Sequence, residues 1–376
     1  MATRTEPKIK KVAKGKKISA WAGLFFCLVL AFYFFPKFLS SGVSYESVSV
    51  IQTEEEEEKL PVIPPLDREA YDAKLIKVAN NPVPKEIPED PDNPTTTPVE
   101  TKVNLWPVKT EYPLGGALLP FNRIIAYYGN LYSRKMGVLG EYPKEEMLSR
   151  LNKEVEKWRV ADPETPVVPA LHYIAVVAQG SPGSDGKYRF RMPASEIDKV
   201  LAIAEEIGAI VFLDIQVGLS NLESEIPVFE KYLKMPNVHL GVDPEFSMKT
   251  GAKPGHTVGT LDATDINFAS KYLAHLVKEN DLPPKILVVH RYTQKMLTNY
   301  QNIKTHPEVQ IIMHMDGWGP TAKKINTYKQ FVYGEPVQFT GFKLFYKNDL
   351  WDPGSTLATP EELLKLRPQP LYIQYQ

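Results

Sequence analysis

Cysteine is nearly absent from this 376-residue chain, and the single one, Cys27, lies in an apolar run. No intrachain disulfide can form, and a cysteine-rich zinc module or a thiol redox pair is excluded. Also missing are a Walker loop, a dinucleotide fingerprint, the G-x-S-x-G of serine hydrolases and the H-E-x-x-H of zinc peptidases. Nucleotide binding and a serine nucleophile are thereby disfavoured. Net charge is small as well: 44 Lys and Arg stand against 45 Asp and Glu, a formal -1, which gives no support to general nucleic-acid binding. The charge that exists is uneven. Residues 1–17 hold Arg4 and six lysines against Glu6 alone, so the remainder of the chain is acidic.

There is one long hydrophobic run. Residues 18–35, ISAWAGLFFCLVLAFYFF, carry no charge, and Phe38 and Leu39 extend them. Crossing the hydrocarbon takes about 20 residues, whereas a signal-peptide core has about 7–15. The run therefore predicts a transmembrane helix over 18–39 that acts as a signal anchor in the cell membrane. By the positive-inside rule residues 1–17 form a basic cytoplasmic tail, and everything after residue 40 is extracytoplasmic. A signal peptide cleaved near Ser40-Ser41-Gly42 is the alternative.

Residues 40–120 are of a different material. Glu54 to Glu58 form an acidic block, and residues 61–120 hold 12 of the 33 prolines. Like charge and proline both oppose compaction, so this stretch is expected to be an extracytoplasmic linker. Leu105, Trp106 and the segment from Leu118 to Phe121 are too apolar for a pure spacer and are expected to dock on the domain that begins at residue 121.

From 121 to 376 short apolar runs alternate with amphipathic ones, the pattern of parallel β/α architecture. Eight strands are expected, at 124–128, 172–178, 210–215, 239–243, 286–290, 309–315, 339–345 and 371–374. Most are nearly continuous hydrophobic runs, as strands buried on both faces are. Helix starts are expected at Ser195, Ser220, Thr264 and Thr359-Pro360. Eight strands in this length predict a (β/α)8 TIM barrel, with an open doubly wound sheet as the alternative. Long connections follow strands, at 180–193, 247–262 and 347–358, and a barrel carries its active site on that face.

Polar residues gather where the strands end. Side chains alternate along a strand, so residues i and i+2 share a direction. Asp214 and Gln216, Asp243 and Glu245, and His314 and Asp316 form three such pairs, and His290 ends the fifth strand. Buried unpaired charges are costly, so these groups are expected to converge on a wet pocket at the barrel mouth with Tyr128. Glu245, with Asp243 before it, has the arrangement needed to protonate a glycosidic leaving oxygen. Trp318 offers a flat platform for a sugar ring, and Tyr188, Phe190 and Trp351 extend the cleft. His172 reads as a structural residue at a strand start.

The stretch Gly241-Val242-Asp243-Pro244-Glu245 resembles the D-x-E end of the chitinase-type glycoside hydrolases of family 18. Met313-His314-Met315-Asp316-Gly317-Trp318-Gly319 is similar in spacing to that family's M-x-Y-D-x-x-G. The resemblance implies a barrel in which Glu245 is the acid, Asp243 orients a substrate acetamido group and Asp316 supports both. Val238 and Gly241 stand where the longer family motif has two further acids, and Met315 where it has tyrosine. Residues 121–376 as a whole also resemble a group of bacterial surface and secreted proteins through VVAQGSPG, DPE and HMDGWG.

The leading expectation is a membrane-anchored glycoside hydrolase with catalytic Glu245, Asp243 and Asp316. Asp214, Gln216, His290, His314, Trp318 and Tyr128 are expected to bind a polysaccharide or peptidoglycan. No cofactor and no metal are called for. A metal-dependent hydrolase using His290, His314, Asp316 and Asp214 is one alternative. A non-catalytic barrel that binds glycan or protein is another.

Overall fold

A computed structural model describes residues 63–83 and 104–376. The expected transmembrane span, Cys27 and the acidic block lie outside the described residues. No helix among those described is long and apolar enough to cross a membrane.

Eight parallel strands form the frame: β1 (Arg123–Gly129), β2 (Val167–Ala178), β3 (Ile210–Ile215), β4 (Val238–Val242), β5 (Lys285–Arg291), β6 (Val309–Met315), β7 (Phe339–Leu344) and β8 (Tyr372–Tyr375). Each pairs with its sequence neighbours, and β8 returns to β1 with Ile124 opposite Tyr372, so the sheet closes. The expected barrel is the one observed, and closure leaves no frame strand with an open edge. A short antiparallel strand, Arg189–Arg191, pairs with the last residues of β2, Val176 to Ala178, just past the register slip between Ile174 and Val176.

The period-two alternation sorts the strands into two cores. Ile125, Leu171, Val211, Leu287 and Ile311 face outward and pack under the helices, against Met147, Leu151, Val155 and Trp158 of the helix Lys144–Ala161 and Ile266 and Leu273 of Ala263–Glu279. Ile124, Ala126, Ala170, Phe212, Ile286, Val288, Ile312 and Phe339 face inward and fill the barrel. Both sets are essentially removed from water, which is the main favourable term in the fold.

Part of the expected linker belongs to this unit. Residues Arg68–Ala79 form a helix capped by Asp67, and Tyr71 and Val78 join Leu119 in the barrel's inner core. Gln369 donates its backbone N–H to the Val78 carbonyl at 2.8 Å, and Leu119 donates to Gln310 Oε1 at 3.1 Å. These contacts lie where strands begin, so the helix plugs the N-terminal end of the barrel. Trp106 is buried as expected, its Nε1 donating to the Tyr333 carbonyl. Proline and charge on both sides hide this helix in the sequence, and its apolar positions 71, 75, 78 and 79 are few.

Three helix starts differ from expectation. Pro193 precedes Ala194–Glu206 with no side-chain cap, Asn221 caps the next helix, and Asp262 forms a capping box with Asp265. Thr359 and Glu362 cap each other as expected. The long connections 180–193, 247–262 and 347–358 do follow strands β2, β4 and β7, so they lie on the C-terminal face.

Candidate active site

The strand ends bring the expected residues together over an open cleft of about 670 Å³. Tyr128 from β1, Gln216 beyond β3, Asp243 and Glu245 beyond β4, Tyr292 beyond β5, Asp316 and Trp318 beyond β6 and Lys343 from β7 all line it. Gln216 bridges its neighbours, donating to Tyr128 at 3.3 Å and to Asp243 Oδ2 at 3.4 Å. Asp243 Oδ1 accepts the backbone N–H of Glu245 at 3.0 Å and so fixes the turn that presents that carboxyl. Trp318 is 52% exposed and free to meet a ligand, with the Lys323 ammonium 5.4 Å from its ring centre.

Asp214, His290 and His314 are not cleft residues. All three are fully buried and lie below the residues that line it. His172 corrects the sequence reading in the same way: β2 begins at Val167, so His172 is mid-strand and points into the barrel, its Nδ1 2.5 Å from the Tyr372 hydroxyl. Tyr188, Phe190 and Trp351 do not line the cleft either. Arg189 and Arg191 flank Phe190 and are both held by the buried Glu225, at 2.8 and 2.7 Å, which fixes that strand with Phe190 toward solvent.

The buried layer is a charge network. Tyr128 donates to Asp214 Oδ2 at 2.9 Å, and His290 Nδ1 lies 2.8 Å from Asp316 Oδ2. Lys343 reaches Asp316 Oδ1 at 2.8 Å and lies 3.9 Å from the centre of the Tyr128 ring. Sequence reasoning missed Lys343 and Tyr292. A lysine inside the apolar run FTGFKLF is itself a signal, since it shares a face with Phe339 and Gly341, and Tyr292 is the i+2 partner of His290.

Gly241 makes the arrangement possible. A Cβ at that position would sit 2.5 Å from both Asp214 Oδ1 and His172 Nε2. Where the family 18 motif carries an acid, this chain has a glycine, and the carboxylate of Asp214 comes into that space from the adjacent strand.

Environment separates the carboxyls by protonation state. Burial and the nearby Asp316 charge raise the Glu245 carboxyl above its ordinary range. Asp243 is raised much further, again by burial, with Asp214 and Asp316 adding to it. Burial also disfavours ionised Asp316, but Lys343 and His290 override it and hold that carboxyl well below the usual range. Burial opposes a charge on His290, yet Asp214 and Asp316 on either side raise it overall, whereas His172 is lowered to about 4 and His314 well below the usual value by their burial. Two carboxyls pushed toward the protonated form beside one pushed toward the ionised form make an arrangement suited to acid catalysis.

No protein-family model matches the sequence, and a search of curated proteins found no match. Among solved structures, the cellulase Cel5C_n aligns over 59% of this chain at 13% identity with a TM-score of 0.33. This chain spans 65% of that cellulase's length. The Bacillus subtilis mannanase BCman aligns over 69% of this chain and 81% of its own at 13% identity, TM-score 0.36. A GH18 chitinase from Pseudoalteromonas aurantia aligns over 68% and 93% at 12% identity, TM-score 0.36. The barrel is defined by its own closed strand pairing.

Proposed function

We propose that this chain is a glycoside hydrolase that acts on cell-envelope or environmental glycan, with Glu245 as the acid that protonates the leaving oxygen. The observation that carries the reading is that one cleft shifts two of its carboxyls in opposite directions. Burial and the Asp316 charge push Glu245 toward its protonated form, and Lys343 and His290 push Asp316 toward its ionised form. A glycosidic bond breaks through a cation-like transition state that needs a proton on the departing oxygen and negative charge near the ring. Glu245 supplies the first and Asp316 the second. Asp243 fixes the Glu245 turn and offers a polar group to a substrate amide, while Trp318 stacks on a sugar face. In the same reading residues 18–39 anchor the barrel on the outer side of a cell membrane, with residues 1–17 in the cytoplasm.

The test uses the full-length chain and its Glu245→Gln variant, each incubated with peptidoglycan and with N-acetylated and plain polysaccharides while new reducing ends are counted. Release that falls by about 10²–10⁴-fold in the variant is expected of a lost general acid. Retention of a glycan on a column with no release by either protein would replace this reading with a binding barrel. The full chain is required, because a fragment begun at residue 104 would lack the helix Arg68–Ala79 that closes the barrel base.

A further inference from the structure

Beneath the cleft, three ligand-type atoms converge without hydrogen-bond partners. His172 Nε2, Asp214 Oδ1 and His290 Nε2 are fully buried and make no hydrogen bond among the described residues. The three residues each offer a ligand atom, and these atoms lie within 4.8 Å of one another. An orphaned polar atom in a dry interior costs about 1–3 kcal/mol, and three gathered this closely could be satisfied by one shared partner.

The outer atom of each residue is already held. His172 Nδ1 meets the Tyr372 hydroxyl, which Gln374 also contacts at 2.9 Å, Asp214 Oδ2 accepts from Tyr128, and His290 Nδ1 faces Asp316. That is how metal-binding side chains are oriented, with a second partner fixing the ring tautomer or the carboxylate and leaving the other atom for the ion. Asp214 Oδ1 lies 3.3 Å from His172 Nε2 and 3.5 Å from His290 Nε2. Ligands about 2.0–2.1 Å from a tetrahedral zinc ion stand about 3.3–3.4 Å apart, close to both values. Gly241 contributes by lacking the Cβ that would block the space beside two of these atoms.

We propose that the barrel holds one divalent transition-metal ion of the zinc class, bound by His172 Nε2, Asp214 Oδ1 and His290 Nε2. Two imidazoles and one carboxylate suit such an ion, and three protein ligands leave a fourth position to water. A second group, His290, His314 and Asp316, also lies within 4.8 Å. It is the poorer site, because both Asp316 oxygens are engaged and one of them by the Lys343 ammonium, a cation that repels an ion. With the ion in place, His290 is neutral and donates from Nδ1 to Asp316, so the ion replaces the imidazolium charge. Its work is to fix Asp214 and, through it, the Tyr128 that lines the cleft.

The test does not depend on hydrolysis. Full-length protein is unfolded, refolded with Co(II), dialysed against chelator and assayed for metal per chain and for visible absorption. One retained equivalent with the intense absorption of tetrahedral cobalt is expected. Retention should be lost in His172→Gln and in Asp214→Asn and kept in His314→Gln. No retained ion in the unaltered protein, weak octahedral absorption, or loss in His314→Gln with retention in His172→Gln would overturn the proposal. The spectrum of the unaltered protein is decisive even if a variant fails to fold, and absent glycan release would leave the metal count unchanged.

Discussion

The lower and upper halves of the barrel interior are built from the same strands, yet they do opposite things. Along β5 the inward residues run Ile286, Val288, His290, along β3 Ile210, Phe212, Asp214, and along β1 Ile124, Ala126, Tyr128. In each case the chain enters apolar and leaves polar. The lower half, sealed by Tyr71, Val78 and Leu119, gains stability from burial with few polar groups to satisfy. The upper half gives stability up, since it buries Asp214, Asp243, His290, His314, Asp316 and Lys343. The chemistry proposed for the cleft is concentrated where burial is energetically least favourable.

That contrast can be broken most severely through Lys343. Lys343→Met leaves the largely buried Asp316 carboxylate with one cation fewer, and removing one partner of a buried pair costs about 3–5 kcal/mol. Denaturant titration should record that loss. It should also show a pH effect. Asp316 is held low in the folded protein, so its contribution is present above the ordinary carboxylate range and disappears as pH falls through the lowered value. In the variant that value rises toward the ordinary one, so the acid loss that belongs to Asp316 should be smaller and complete at a higher pH.

A large apolar truncation below the site should behave differently. Ile286→Ala is expected to lose about 2–5 kcal/mol, with glycan release per folded molecule unchanged. A change in release would mean that the two halves are not separable.

Smaller effects sharpen the picture. Tyr71 buries a hydroxyl with no partner among the described residues, so Tyr71→Phe should gain about 1 kcal/mol in the same titration. Asp243→Asn should have little effect on stability at low pH and become favourable as pH rises. The raised carboxyl binds a proton in the folded state that the unfolded chain releases, and the parent therefore loses stability over that range while the variant does not.

The sequence made the frame legible because strands buried on both faces write themselves as unbroken apolar runs. All eight expected strands appear, two with the expected bounds, 210–215 and 309–315. The i, i+2 rule likewise found the carboxyls of the cleft. Depth was not legible: nothing in the spacing says whether Asp214 ends above the floor or under it, since that depends on the stagger between neighbouring strands. His172 was misplaced for a related reason, because Val167 to Leu171 includes Pro169 and reads as a connection. Lys343 escaped notice because it is the only charge in its strand and has no polar partner two residues away. The helix Arg68–Ala79 was hidden by the prolines around it, although it supplies the barrel's base.

The central claim is that Glu245 holds its proton in this cleft at a pH where a free glutamic acid is ionised. Difference infrared spectra of the unaltered chain and Glu245→Gln across a pH titration measure this directly. A protonated carboxyl band, absent from the variant, is expected to persist above the ordinary glutamic acid range. A carboxylate band alone throughout that range would contradict it.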